Sequence, residues 1–171
     1  MFKVLAVSAA VMAAAGAAAQ TGGPTDPQIA HIAYTAGQID IAAGKQALAK
    51  SKNPKVRAFA QEMVRDHAAV NTQALALVKK LNVTPQDNPT SQSLQKAGSA
   101  KLAELGKLNG AAYDRAYVRN EIAYHRTVNG ALSTALIPNA DNGELKGLLQ
   151  TGLKLFSEHQ HHAENLAAGL K

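Results

Sequence analysis

NPKVRAFAQEMVRDHAAVNTQALALVKKLN, residues Asn53 to Asn82, is the stretch that decides the fold. Asn53 can cap a helix and Pro54 suits its first turn, where a missing N–H leaves nothing unpaired. Behind them Val56, Phe59, Met63, His67, Val70, Ala74, Leu77 and Leu81 recur at spacings of three and four, so one face of an α-helix meets a common core. One member of that face is not apolar. His67 stands at its centre, and an inward ionisable group must be paired, neutralised or bound to a metal.

The same periodicity extends in both directions. Thr25-Asp26-Pro27-Gln28 supplies a cap, a first-turn proline and a capping-box spacing, predicting a first helix that runs to about Ser51 and forms a tight hairpin with the second. From Val83 to Ser91, Thr, Pro, Asn and Asp predict a loop. A shorter helix follows from about Gln92 to Leu108, stopped by Asn109-Gly110, and a third long helix runs from about Ala111 to Leu136, ended by Pro138. After Asn139 to Asn142, a capping box of Asp141 and Glu144 opens the last helix, which reaches about Gly169. No strand-like alternation competes.

The expected fold is therefore all-α: a four-helix bundle over residues 26–169, a single domain, with an additional shorter helix between helices two and three. Roughly 17 helical residues reach about 25 Å, enough to carry the chain back to its starting end. The third helix then runs parallel to the second, as in ferritin-like bundles with one long crossover. A plain up-down bundle is the other topology open to these elements.

The first residues set the compartment. Lys3, the apolar run Val4–Ala15 and the small exit Ala17-Ala18-Ala19 make residues 1–19 a signal peptide. The run is well short of the roughly 20 residues of a membrane span. Cleavage near Ala19 predicts a periplasmic or secreted protein with a short tail over residues 20–25 and no integral membrane anchor. The chain has 0 cysteines, which excludes disulfides, lipid-modified cysteine and thiolate metal sites. Its net charge of +6 is spread without a basic block, and there is no tryptophan and no recognised binding motif, so a nucleic-acid role has no support. Weak attraction to anionic envelope surfaces is the remaining partner expectation; the oligomeric state is left open.

Three further stripes are interrupted by polar residues. Helix three reads Asp114, Val118, Glu121, His125, Val128, Leu132; the last helix reads Leu145, Leu148, Gly152, Leu155, His159, His162, Leu166. Helix one offers a small-residue seam, Ala33, Ala36, Asp40, Ala43, Ala47, with one acid in it. Counting residues from the shared turns puts Asp40, His67, Glu121, His125 and His159 near one level, with Asp66 and His162 at the flank. A single inward histidine is ordinarily a hydrogen-bonded core residue, but three on separate stripes ask for a common cause. Imidazole and carboxylate on facing helices suit zinc, copper or iron, so these seven residues are candidate ligands. Tyr113, Tyr117 and Tyr124 are expected to supply hydrogen-bond partners. Without a metal, the same groups would form a buried network fixing helix register in a non-catalytic envelope or stress-associated interaction protein.

Enzymatic readings are weaker. A di-iron redox site needs two Glu-x-x-His units, and only Glu158–His161 is present, since Glu62 is followed three residues later by Arg65. His161 also belongs to the short tract His159-Gln160-His161-His162, suited to loose surface binding of a divalent ion. No Gly-rich phosphate loop or Gly-x-Ser-x-Gly elbow occurs, so nucleophilic catalysis has no support.

Three stretches carry a family resemblance: Phe59-Ala60-Gln61-Glu62-Met63-Val64-Arg65-Asp66-His67; Tyr113-Asp114-Arg115-Ala116-Tyr117-Val118 continuing to Glu121 and His125; and His159 with Ala163 and Leu166. They resemble the exported bacterial family known as domain of unknown function 4142, over roughly Pro27 to Ala168. The resemblance implies a ferritin-like fold and export, and carries no established activity. Family members usually place Glu where Asp40 stands.

Overall fold

A computed structural model describes residues 22–170; the signal-peptide segment expected over residues 1–19 lies outside them. Helix α1 spans Asp26–Lys50, α2 Pro54–Lys80, α3 Pro89–Gly106 and α4 Gly110–Ala131. The last runs on through a π-helical turn, Leu132–Leu136, into the short α5, Ile137–Asn139, and α6 spans Gly143–Ala168. The described residues contain no strand.

Helix starts follow capping chemistry. Asn53 Oδ1 accepts from the Lys55 N–H at 2.9 Å, and the Thr25 N–H donates to Gln28 Oε1 at 3.1 Å. Three boundaries differ from the sequence reading. Pro89 is not a breaker but the first residue of α3, because Asn88 Oδ1 accepts from the Ser91 N–H at 3.0 Å. Pro138 does not end the helical path at Leu136; the π-helical turn loosens the chain ahead of it and the path continues to Asn139. Asn142, not Asp141, caps α6, accepting from the Glu144 and Leu145 N–H groups at 2.9 and 3.0 Å. Asp141 and Asn142 instead donate their own N–H groups to the Asp26 carboxylate, each at 2.9 Å.

That last contact ties the start of α6 to the start of α1. At the opposite end, Lys50 Nζ donates to the Gly106 carbonyl at 2.9 Å and to Asn109 Oδ1 at 3.1 Å. With Asn88 Nδ2 on the Gln28 carbonyl, α3 lies along α1 in the same direction. Helix α4 therefore starts where α2 starts and runs parallel to it, so the up-down path is not the one taken. Between α1 and α2 the helices meet closely at Gly44, where a Cβ would stand 2.8 Å from Val64 Cγ2 and 3.1 Å from the Ala60 carbonyl oxygen.

Two apolar clusters share the interior. One is packed around Val56, Phe59, Met63, Tyr113, Tyr117 and Val118, all fully buried. Burying such side chains stabilises the fold by about 1.5–3 kcal/mol apiece. The other lies toward the start of α1 and includes Ile29, Ile32, Leu132, Leu136, Leu145, Leu149 and Phe156. Between them, at residues 40, 67, 121–125 and 159 of the four long helices, runs a polar layer.

Candidate metal centre

The layer holds Asp40 from α1, His67 from α2, Glu121 and His125 from α4, and His159 from α6, none more than 3% exposed. His67 Nε2 lies 3.4 Å from His125 Nε2, and Asp40 Oδ2 lies 3.3 Å and 3.5 Å from these two nitrogens. The three atoms thus form a near-equilateral triangle. Two ligand atoms at bond lengths of about 2.05 Å across a tetrahedral angle stand about 3.4 Å apart, so the triangle has the dimensions of one face of a small-cation coordination sphere. His159 brings a ligand-capable nitrogen within 4.8 Å of those of His67 and His125.

Surrounding contacts orient the rings. His125 Nδ1–H donates to the Glu121 carbonyl at 3.0 Å, leaving the Nε2 lone pair aimed at His67 and Asp40. His159 Nε2–H donates to Asp66 Oδ2 at 3.1 Å, so its Nδ1, buried and without a hydrogen-bond partner, carries the free lone pair. Phe156 stacks on His67, with ring centroids 4.5 Å apart and planes 9° apart, and so restricts the tilt of that imidazole.

Electrostatics fit a site with no net positive charge of its own. Burial pushes His67 well below its ordinary value, helped by the neighbouring imidazoles, and takes His125 down to about 4. His159 is lowered by burial too, against the opposing pull of Asp66. Burial raises Asp40 to about 7, while the Glu121 carboxyl beside it draws it partly back. Glu121 is pushed well above the carboxylate range by burial and by Asp40, and so keeps its proton. Neutral imidazoles next to a carboxylate poised to ionise are what a divalent cation requires. Neither Asp40 oxygen nor His67 Nδ1 has a well-formed hydrogen bond, an expensive condition for buried polar atoms.

The flanking residues behave differently. Asp66 is mostly buried and is held below the carboxylate range chiefly by Arg65, which grips it through Nε at 2.6 Å and an Nη at 3.0 Å. His162 is exposed rather than inward: three residues past His159 the helix has turned it onto the α2 surface, where its Nδ1 meets Glu62 Oε2 at 2.8 Å. Glu62, Asp66 and His159 form a second, half-exposed donor group. The expected tyrosine partners also diverge, since Tyr124 donates to the Ala36 carbonyl at 2.8 Å and Tyr113 to Gln46 Oε1 at 3.3 Å, while the Tyr117 hydroxyl has no partner. Glu158 and His161 are both exposed, on the outer face of α6.

Sequence reasoning missed Phe156 and Glu62. The inner face of α6 runs Leu149, Gly152, Phe156, His159, Ala163, whereas the stripe read from sequence took Leu148 and Leu155, which are only half-buried. Extending the stripe backward from His159 by three and ten would have found Phe156 and Leu149 beside the Gly152 already in it. Glu62 was legible as the residue one turn before Asp66.

The profile described as "Domain of unknown function (DUF4142)" matches residues 10–166. The chain belongs to the DUF4142 family. Two solved structures resemble this DUF4142 protein in fold. One, from Streptomyces coelicolor, is a DUF305 protein provisionally described as secreted, at TM-score 0.70 and 13% identity over 83% of this chain and 91% of that one. The other is CopM in its Cu(II)-bound form, at TM-score 0.67 and 15% identity over 88% of this chain and 100% of that one. At such identities the likeness is one of fold. No curated protein matches the chain in sequence. Among the described residues, no helix is long and apolar enough to cross a membrane.

Proposed function

We propose that this DUF4142 protein is an exported, non-catalytic bundle of ferritin-like path that binds one divalent transition metal in its mid-bundle polar layer. The observation that carries the reading is the triangle of His67 Nε2, His125 Nε2 and Asp40 Oδ2, with edges of 3.3–3.5 Å and all three side chains buried. His159 completes the donor set, with Glu121 as the proton-holding neighbour of Asp40. Three imidazoles and a carboxylate suit copper(II), zinc(II) and iron(II), and copper(II) is the most tightly held of these. The Cu(II)-bound state of the CopM fold relative makes copper the first ion to try.

The test is elemental analysis of protein loaded with Cu(II) or Zn(II) and then desalted. Wild type should retain about one ion per chain, as should a His161→Ala, His162→Ala variant. His67→Ala, His125→Ala should retain none. Equal retention by wild type and the His67/His125 variant would end the proposal. A second reading has its own support: the Arg65–Asp66–His159 ladder is closed without any ion. It treats the layer as a register-fixing hydrogen-bond network, and it requires His67→Leu to destabilise the protein with no effect of metal. A di-iron redox centre draws no support from the described residues, because Glu158 and His161 face outward.

A further inference from the structure

Beneath the polar layer the bundle is hollow. A cavity of about 490 Å³ runs from Asp40, His67 and His125 to Gly22–Pro24 and Asn88–Thr90 at the end where α1 begins. Its cause is legible in side-chain size. Where α1 faces this half of the interior it presents Ala30, Ala33 and Ala36, and α2 presents Ala74, positions at which larger side chains would take up the space. The π-helical turn of Leu132–Leu136 lines the opposite wall, the kind of helix irregularity that tends to accompany function.

We infer that this cavity is a binding site for a neutral, largely apolar small molecule ending in a single hydroxyl. The walls are aliphatic and aromatic, so the body of the ligand must be apolar. Gln28, Asn88 and Thr90 stand at the outer end and Asn71 on the wall, but the unsatisfied polar atoms are at the inner end, where Asp40 and His67, both at least nine-tenths buried, line the cavity with Asp40 Oδ1 and His67 Nδ1 lacking hydrogen-bond partners. A hydroxyl there donates to Asp40 Oδ1 and accepts from His67 Nδ1–H, the tautomer that also leaves His67 Nε2 free for the triangle. Size agrees: an apolar cavity of about 150 Å³ takes up benzene, and this one is several times larger, within the usual range for organic ligands. The site stands whether or not an ion occupies the layer above it.

The test uses the full mature protein in chelator, with 4-heptylphenol and heptylbenzene as probes in calorimetric titrations. Heptylphenol should bind one per chain, and heptylbenzene, the same shape without the hydroxyl, at least tenfold more weakly. Ala33→Phe and, separately, the gentler Ala74→Leu should each weaken heptylphenol at least tenfold while metal retention stays at the wild-type level, so failure here is distinguishable from failure of the metal site. Absence of binding by either probe, equal binding of both, or wild-type affinity in a folded Ala74→Leu variant would each overturn the inference.

Discussion

Replacing Asp40 by asparagine should stabilise the metal-free protein at neutral pH, against the usual rule that a buried substitution destabilises. In the unfolded chain the Asp40 carboxyl ionises near 3.8, and in the fold it ionises near 7. A raised acid contributes its full stability only below the unfolded value, and that contribution is lost as pH rises through the folded one. By linkage the shift costs the fold about 4 kcal/mol at pH 7.5 and less than about 1 kcal/mol at pH 4. The asparagine side chain is nearly isosteric with the carboxyl and never ionises, so Asp40→Asn escapes that cost, less about 1–2 kcal/mol for an amide that fits the Glu121 and imidazole neighbours less well. The imidazoles act in the opposite sense: His125 falls from 6.5 to about 4 on folding, so its stability is present above 6.5 and lost as pH falls toward 4. Because both proteins carry His125, its contribution cancels in the difference. Urea unfolding in chelator across pH 4–8 should therefore show the variant more stable by about 2–3 kcal/mol at pH 7.5, the gap closing as pH falls and reversing near pH 4. A variant less stable than wild type at pH 7.5, or a gap independent of pH, would refute the reasoning.

Other outcomes follow from single contacts. Gly44→Ala puts a methyl group 2.8 Å from Val64 Cγ2 and 3.1 Å from the Ala60 carbonyl oxygen, so it should cost about 1–3 kcal/mol in thermal or urea unfolding. Asp26→Ala strands the N–H groups of Asp141 and Asn142, and should lower stability by about 1–2 kcal/mol and raise hydrogen exchange at the start of α6. Phe156→Leu replaces the ring stacked on His67 by a smaller aliphatic side chain, and should weaken Cu(II) affinity several-fold in competition with a chelator, while costing the unloaded protein about 1 kcal/mol in urea unfolding.

The fold was legible wherever local chemistry and periodicity agreed. Asn53-Pro54 and Thr25-Asp26-Pro27-Gln28 mark starts that tertiary contacts then reinforce, and the length of the middle helix foretold the crossover that sets α4 parallel to α2. Asn88-Pro89 misled because the same dipeptide that caps a helix also reads as a turn, and only Ser91 completing the cap decides between them. At the site, Asp40, His67, Glu121, His125 and His159 were found because each interrupts an apolar stripe. His162 was misplaced because a three-residue step turns the helix about 60° short of a full circle, enough to move it from seam to surface. The cavity was the least visible feature: Ala33 and Ala36 read as a small-residue seam, and nothing in their spacing says that these small side chains line open space.

Anomalous scattering at the copper edge from crystals of the Cu(II)-loaded protein tests most directly whether imidazoles from separate helices hold an ion. One strong peak about 2 Å from both His67 Nε2 and His125 Nε2, in the interior beside Asp40, is the expected result. Peaks confined to the exposed His161 and His162, or no ordered copper at all, would contradict it.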